Sequence, residues 1–340
     1  MSTTYSGEVD AEVRQLFTSV MSDWRAKRAV PELPVALDRA LWRTLVELGL
    51  SELSSADGAD WWTSAELLRA AARHAAPVPL AEHDLLAGWL AQRAGFQPGD
   101  GIRTVALLDE AGRALRVPWA SSVDRLVAAW GADGRAWVAE VDPTEMSIEA
   151  GYDLAGQPRD TVVVDAAVRS RAHEIDPTLL GGVRLRGALA RAIQTTGALD
   201  EIVERTVAHV SERRQFGRPL ARFQAVQHLL ADAAAESTLA RAATDAAIMA
   251  AARLDAEWGT STELELRIAV ARSVIAVSAG RVVRHAHQLH GAIGTTLEHP
   301  LQEFTKPVLA WRSEFGTPRE WDERVLALAS GGGSVWSSLV

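Results

Sequence analysis

The sequence predicts a mainly α-helical protein with a small β domain between two helical parts. Apolar residues recur at every third or fourth position over residues 8–96 and again after residue 181, which is typical of helices packed on one face. Between these stretches lie short runs rich in Val and Ala, bounded by Gly, Pro and Asp, which is typical of strands. The predicted parts are an N-terminal helical domain (1–101), a small β domain (102–180), a C-terminal helical bundle (181–330) and a flexible tail (331–340).

Composition excludes several classes of function. With 48% hydrophobic and 23% charged residues, the 340-residue chain is expected to fold into globular domains. Its 35 Lys and Arg against 44 Asp and Glu give a formal net charge of −9, which disfavours nucleic-acid binding. The chain has no cysteine, so disulfides and thiolate ligands are excluded. No secretory leader and no apolar run of about 20 residues are found, so we expect a cytoplasmic protein without a membrane span.

The N-terminal part predicts several helices. The segment 38–50 places its apolar residues mostly on one face. A further helix is predicted to begin near Thr63 or Ser64, either of which can cap it. The chain has 12 Trp but only 2 Tyr, and the pattern gives Trp61 and Trp62 no assigned place.

The central part predicts four or five strands in one small antiparallel sheet or barrel. Four runs carry the prediction: RTVALLD, DRLVAAW, RAWVAEV and DTVVVD. Residues 131–134, Gly-Ala-Asp-Gly, predict a hairpin between the second run and the third.

The C-terminal part predicts an antiparallel bundle. Residues 185–213, 223–254 and 263–290 are long periodic segments joined by short connections.

A basic turn after the first bundle helix is the sharpest local motif. The helix ends at Arg213 and Arg214, the chain turns at Gly217 and Pro219, and a helix restarts near Phe223. Two arginines beside the free N–H groups of a helix start suit a phosphate or pyrophosphate. The alternative is that these cations only complement the carboxyl end of the preceding helix.

A second motif, QLHGAIGTTLEHP, follows the third bundle helix. Gly291 and Gly294 allow a backbone to approach a ligand closely, and Gln288 and His290 supply hydrogen-bonding groups. The alternative is a glycine that ends the helix and is followed by a loop.

Three histidines near this motif do not predict a metal site. His285, His287 and His290 stand at i, i+2 and i+5, which spreads them around a helix. With no cysteine and no paired carboxylate nearby, we expect no metal.

Together the two motifs resemble the acyl-CoA dehydrogenase family. The resemblance lies in residues 213–219 (RRQFGRP) followed by Phe223-Gln224, and in residues 288–294 (QLHGAIG), and it extends to the helix–β–helix order of nearly the whole chain. It implies an acyl-CoA dehydrogenase-like fold with an N-terminal α domain, a middle β domain and a C-terminal four-helix bundle. It also implies non-covalent FAD bound at a subunit interface.

The resemblance implies a set of cofactor-binding residues. It places Arg213 on the pyrophosphate of an FAD bound mainly by a partner subunit. The remaining positions implied to meet the cofactor are Gln215, Phe216, Gln224, Gln288, Gly291, Gly294 and Thr317.

The family's catalytic base is missing from both positions where the resemblance would place it. The reaction is α,β-desaturation of an acyl thioester, in which a carboxylate removes the α-proton while a hydride goes to the flavin. The two positions that can hold this carboxylate are Phe315 and Gly187 in this chain. Glu314 is one residue away and is the fallback candidate, but a solvated or ion-paired role is preferred for it.

These departures imply a partner subunit. The β domain also departs, since residues 107–112 (LLDEAG) stand where the family carries a Thr/Ser-Glu-Pro-type loop against the flavin ring. Shortened family members occur as one half of heteromeric enzymes in which a homologous subunit supplies the base, several of them acting on bulky steroid-type CoA thioesters. We therefore expect an FAD-binding acyl-CoA dehydrogenase subunit of a heterotetramer. The alternatives are a non-catalytic structural subunit that completes a partner's site and a self-sufficient homotetramer that uses Glu314.

Overall fold

The computed structural model describes residues 9–28, 32–54, 61–95, 100–296 and 298–331. The α-helices are α1 (Ala11–Lys27), α2 (Arg39–Glu47), α3 (Trp61–Arg73), α4 (Trp89–Arg93), α5 (Ala166–Ser170), α6 (Thr178–Glu212), α7 (Gln224–Arg253), α8 (Thr262–His290), α9 (Gln302–Trp311) and α10 (Pro318–Gly331). The strands are β1 (Arg103–Leu108), β2 (Arg113–Pro118), β3 (Arg125–Ala132), β4 (Arg135–Val141), β5 (Met146–Glu149), β6 (Arg159–Val164), β7 (His173–Ile175), β8 (Arg214–Gln215) and β9 (Arg218–Pro219). The predicted flexible tail, apart from Gly331, lies outside the described residues.

The mainly α-helical fold class with a small β part is confirmed. Helix α2 is capped by Asp38, whose carboxylate accepts hydrogen bonds from the N–H groups of Ala40 and Leu41. The cap predicted at Thr63 or Ser64 is wrong, because α3 already begins at Trp61 and both residues lie inside it. Before α4, Ala81–Gly88 form a π-helical segment. No helix of the described residues is long and apolar enough to cross a membrane.

Strands β1 to β7 form two sheets that face each other, so the predicted single antiparallel sheet is wrong, and β8 and β9 form a separate two-stranded sheet. One sheet has the order β1-β3-β4-β7 and the other has β2-β6-β5. β1 runs parallel to β3, because the chain leaves β1 through a tight turn into the other sheet and returns. The predicted hairpin is confirmed between β3 and β4, with Asp133 and Gly134 at positive φ of 50° and 76°. An apolar core lies between the two sheets.

The three long bundle helices are confirmed, although α6 begins at Thr178 rather than at residue 185. One apolar core joins α6, α7 and α8 to the N-terminal helices and to strands of the first sheet, and another joins them to α9. Helix α6 takes part in both and reaches from the β part to the basic turn. It therefore positions both parts of the candidate site.

A buried arginine explains part of the tryptophan excess. The Arg186 guanidinium is 1% exposed and lies 4.6, 4.7 and 4.9 Å from the ring centroids of Trp61, Trp89 and Trp258. Burial lowers its pKa to about 9, which still leaves the guanidinium charged at neutral pH. This cage binds α6 to the N-terminal helices and to the connection between α7 and α8.

Candidate functional site

The basic turn is a two-stranded projection on the surface. Helix α6 ends at Glu212, β8 and β9 pair, and Phe216 and Gly217 at their tip have positive φ of 53° and 80°. The Phe216 side chain is 90% exposed, which costs free energy in water unless something outside this chain covers it. Arg213 and Gln215 are also exposed. The turn therefore presents its functional groups outward.

The second motif ends α8 at the surface. Gly291 has φ of 65° and open space where a Cβ would stand, so its backbone can be approached closely. Gly294 is buried, and a Cβ there would lie 2.7 Å from His290 Cβ, so packing within the chain requires this glycine. Gln288 is exposed on the last turn of α8.

The two motifs lie at the same end of the bundle. His209, one turn before Arg213, stacks on His290, next to Gly291, with ring centroids 4.3 Å apart. Gln224 begins α7 directly after the basic turn and is exposed. The structure thus brings the predicted site residues within 213–224 and 288–294 to the same end of the bundle.

Thr317 is not part of this group. It lies at the start of α10, where its N–H and Oγ1 donate to Glu320 Oε2 at 2.7 and 2.9 Å. The adjacent Phe315 contacts Gly187, and Gly187 precedes His209 by about 33 Å along α6 at 1.5 Å per residue. Thr317 therefore belongs to the opposite end of the helix.

The exposed group fits the phosphate end of a dinucleotide. Among the described residues, the Arg213 guanidinium makes no ion pair, and its charge is free for an anion from outside. The Gln215 and Gln288 amides add donors, and Gly291 allows backbone approach. No carboxylate of the described residues forms an ion pair with Arg213, so the chemistry of this donor set suits pyrophosphate.

The two positions implied for a catalytic base face each other and are closed. A Cβ added at Gly187 would lie within 2.6 Å of three ring carbons of Phe315. Phe315 itself has φ of 58°, a left-handed conformation that costs a non-glycine residue about 1 kcal/mol. The ring thus fills the space where a carboxylate from either position would stand.

Glu314 lies in a buried ion-pair network. Its two carboxylate oxygens each accept a hydrogen bond of 2.7 Å, one from Arg159 Nε and one from Arg191 Nε. Arg191 also donates to Glu82 at 2.5 Å, and Arg159 lies 3.4 Å from Asp153. This network connects the N-terminal helices, the β part and α6.

The network leaves Glu314 ill suited to accept a proton. Burial alone raises the pKa of its carboxyl, but the charges of Arg159 and Arg191 outweigh burial and lower it to about 2. A general base works best when its pKa is near the working pH. The geometry therefore favours the ion-paired role over the catalytic one.

The cavities around this network are small. One of about 60 Å³ lies between the N-terminal helices, α6 and α9, beside Arg159, Arg191 and Trp311. Another of about 260 Å³ lies between the strands β1 and β2 and Phe315. Pockets for drug-sized ligands usually measure 300–1,000 Å³, so neither cavity has the usual size for a bulky acyl group.

The histidines of α8 have separate partners, as their spacing predicts. His285 Nε2 lies 2.6 Å from Asp232, and His287 Nε2 lies 3.2 Å from Thr305 Oγ1. His290 instead joins His209 and His299 from other elements, with one ring nitrogen of each within 4.8 Å of the others. Spacing within one helix cannot reveal a group assembled from three segments.

Sequence reasoning also missed the buried arginines. Arg159, Arg191 and Arg272 are each at most 3% exposed, and Arg272 donates to the carbonyl oxygens of Trp311 and Glu314 at 2.9 Å. Their one sequence signal is an arginine at an otherwise apolar helix position, as at Arg191 and Arg272.

Comparisons with known proteins show which proteins the C-terminal part of the chain is similar to. Residues 185–318 match the family described as acyl-CoA dehydrogenase, C-terminal domain. The acyl-CoA dehydrogenase IpdE2 of Mycolicibacterium smegmatis is 32% identical over 146 residues, 43% of this chain and 43% of that relative, so the match spans less than half of the relative's length.

Two solved structures share the fold over nearly the whole chain. The ChsE4-ChsE5 complex from Mycobacterium tuberculosis has a TM-score of 0.83 at 21% identity, covering 97% of this chain and 98% of that one. A Tcur3481-Tcur3483 steroid ACAD variant has a TM-score of 0.81 at 23% identity, covering 95% and 98%. Residues 185–318, which contain both motifs, are therefore similar to the C-terminal domain of acyl-CoA dehydrogenases, and the chain as a whole shares the fold of these two structures.

Proposed function

We propose that this chain is an FAD-binding subunit of a heteromeric acyl-CoA dehydrogenase. In this role it works with a homologous subunit to desaturate a bulky, steroid-type acyl-CoA. The carboxylate that removes the α-proton comes from the partner. The proposal includes a cytoplasmic location for the assembled enzyme.

The contact between Gly187 and Phe315 carries the proposal. Both base positions lie in one place, and an aromatic ring occupies it. The nearest carboxylate, Glu314, is ionised and bound by two arginines. A chain with this geometry needs a base from elsewhere to abstract a proton.

The exposed motifs support a retained cofactor role. Arg213, Gln215 and Gln288 are exposed and directed away from the core, although an isolated chain gains no stability from them there. The names of the two similar structures each pair two proteins, and one of them is called a steroid ACAD. These comparisons support the heteromer and the substrate class.

The chain's own residues would hold and orient the cofactor. When bound, FAD supplies the acceptor for the hydride that leaves the β-carbon. Arg213 would neutralise the pyrophosphate, Gln288 would donate to it, and Gly291 would admit its close approach. Phe315 fills the space beside Gly187, so this chain would present no carboxylate from either base position.

Reconstitution with the partner tests the proposal. The chain is purified alone and after co-expression with its homologous neighbour, and bound flavin and acyl-CoA oxidation are measured. We expect turnover in the mixture only. Arg213→Ala should weaken flavin binding by about 10- to 100-fold, as expected for a lost charged hydrogen bond of about 1.5–3 kcal/mol. Arg43→Ala, an exposed arginine on α2, is the matched control and should bind flavin normally.

Three results would contradict the proposal in different ways. Stoichiometric FAD with turnover by the isolated chain would establish a self-sufficient enzyme. Loss of that turnover in a Glu314→Gln variant that is still folded would then identify the base. A complex whose flavin content and activity ignore Arg213→Ala would instead indicate a structural subunit without cofactor contact.

A further inference from the structure

A histidine cluster at the end of the bundle has no role in the proposed reaction. His209 lies in the last turn of α6, His290 ends α8, and His299 lies in the connection before α9. The ring centroids of His209 and His290 are 4.3 Å apart, and those of His290 and His299 are 5.0 Å apart. Three imidazoles from three different segments of the chain therefore share one small volume.

The hydrogen bonds leave a ring nitrogen available on His290 and His209, whereas His299 would give up one hydrogen bond on ligation. His290 Nδ1 donates to the carbonyl oxygen of Ala286 at 2.8 Å, which fixes the proton there and leaves the Nε2 lone pair available. The His209 ring makes no hydrogen bond with the described residues. His299 Nδ1 accepts the N–H of Leu301 at 3.2 Å, and ligation would replace that one hydrogen bond.

Burial favours the neutral form of the three rings. It lowers the pKa of His290 to about 4, with His209 and His299 adding to the effect. Burial also lowers the pKa values of His209 and His299, helped by Arg213 beside His209. A neutral imidazole is the form that binds a metal.

The surroundings contain both favourable and opposing charges. The carboxyl ends of α6 and α8 meet at the cluster, and their partial negative charge favours a cation. Arg205 and Arg213 oppose it, and Glu212 offsets them in part. An ion held mainly by charge would therefore bind poorly here, whereas an ion that forms strong bonds to imidazole nitrogens can bind.

We propose that His209, His290 and His299 bind a divalent first-row transition-metal ion, with Zn²⁺ as the probe ion. Imidazole nitrogens suit Zn²⁺, Co²⁺ and Ni²⁺, whereas Mg²⁺ and Ca²⁺ prefer oxygen. The three nitrogens lie within 4.8 Å of one another, so small ring movements bring them to a common ion at about 2.0–2.1 Å. Three protein ligands leave a fourth position for water or another donor.

Direct titration of the untagged full-length chain tests the site. Calorimetry with Zn²⁺ should give one ion per chain, Mg²⁺ should give none, and Co²⁺ should give the visible absorption of a tetrahedral site. His299→Ala should weaken Zn²⁺ binding by at least about tenfold. His285→Ala on α8 is the matched control, since that ring pairs with Asp232 instead, and it should keep wild-type affinity.

The outcomes separate this site from the proposed cofactor role. Thermal unfolding of His299→Ala checks that it is folded, and His209→Ala is the second variant if it is not. Equal Zn²⁺ affinity in wild type and both variants, or the absence of Zn²⁺ binding by the wild type, would overturn the proposal. Zn²⁺ binding is measured on flavin-free protein, so its outcome does not depend on whether the chain binds FAD.

Discussion

Replacing Glu314 by Gln distinguishes a structural carboxylate from a catalytic one. The variant keeps the shape of the side chain but removes its charge and leaves one acceptor oxygen for two arginine donors. Arg159 and Arg191 are then buried with less negative charge beside them. Breaking a buried ion pair in this way costs about 3–5 kcal/mol.

The pKa of Glu314 gives an independent magnitude. Although burial acts to raise it, the two arginines lower it from 4.5 to about 2 in the folded chain. At about 1.36 kcal/mol per unit, ionised Glu314 contributes roughly 3 kcal/mol to stability at pH 7. Because the folded pKa is lowered, this stability is present above pH 4.5 and is lost as the pH falls from 4.5 to 2. Roughly 1 kcal/mol remains at pH 3.

Urea unfolding at pH 7 and pH 3 measures the effect. At pH 7 the urea midpoint of Glu314→Gln should lie well below that of the wild type. At pH 3 the difference between the two free energies of unfolding should be smaller by about 2 kcal/mol. Glu174→Gln removes a carboxylate from an exposed ion pair with Arg135 and serves as the control with little change.

The opposite pattern would refute this reasoning. If Glu314→Gln is as stable as the wild type at both pH values, the network does not depend on the Glu314 charge. If the variant is stable but a reconstituted enzyme containing it loses turnover, Glu314 acts on the substrate.

Two further substitutions test the packing around this network. Gly187→Ala should lower the free energy of unfolding by about 1–3 kcal/mol, because the added methyl group meets the Phe315 ring. Thermal unfolding should show that the double variant Gly187→Ala with Phe315→Ala loses less stability than the sum of the losses of the two single variants. Arg186→Met should lower the free energy of unfolding by about 2–4 kcal/mol, since the Leu85 carbonyl oxygen loses its donor at 2.7 Å and three tryptophan rings lose a neighbouring cation. Urea unfolding followed by tryptophan fluorescence measures the change, and an unchanged midpoint would show that this cage does not contribute to stability.

Helix positions followed from the sequence better than sheet topology did. The 3.6-residue period located α7 and α8 to within a residue or two because burial of one face is a local pattern. The strands β2, β5 and β7 are short and are interrupted by exposed or charged residues, so no local run of apolar residues predicts them. Pairing of β1 with β3 depends on the path of the chain between them, which propensity does not encode.

The site divides in the same way. The exposure of Arg213 and Gln288 could be predicted because each lies in a compact motif at a helix end, where exposed groups are expected, and their cofactor role stays a prediction. The partners of Glu314 could not, because Arg159 and Arg191 come from a strand and a helix distant in sequence. The cage around Arg186 also depends on three separate segments, so the composition showed an excess of tryptophan without showing its use.

Helix α6 separates the two parts of the proposed subunit role. Gly187 and Phe315 lie near one end, whereas His209 and Arg213 lie near the other, about 33 Å or more away along the helix. Sites so far apart with no shared partners contribute independently to stability and binding. The proposed subunit role therefore requires no compensation between the two ends: the buried network can stabilise the end near Gly187 while the exposed turn at the other end is available for the proposed cofactor contact.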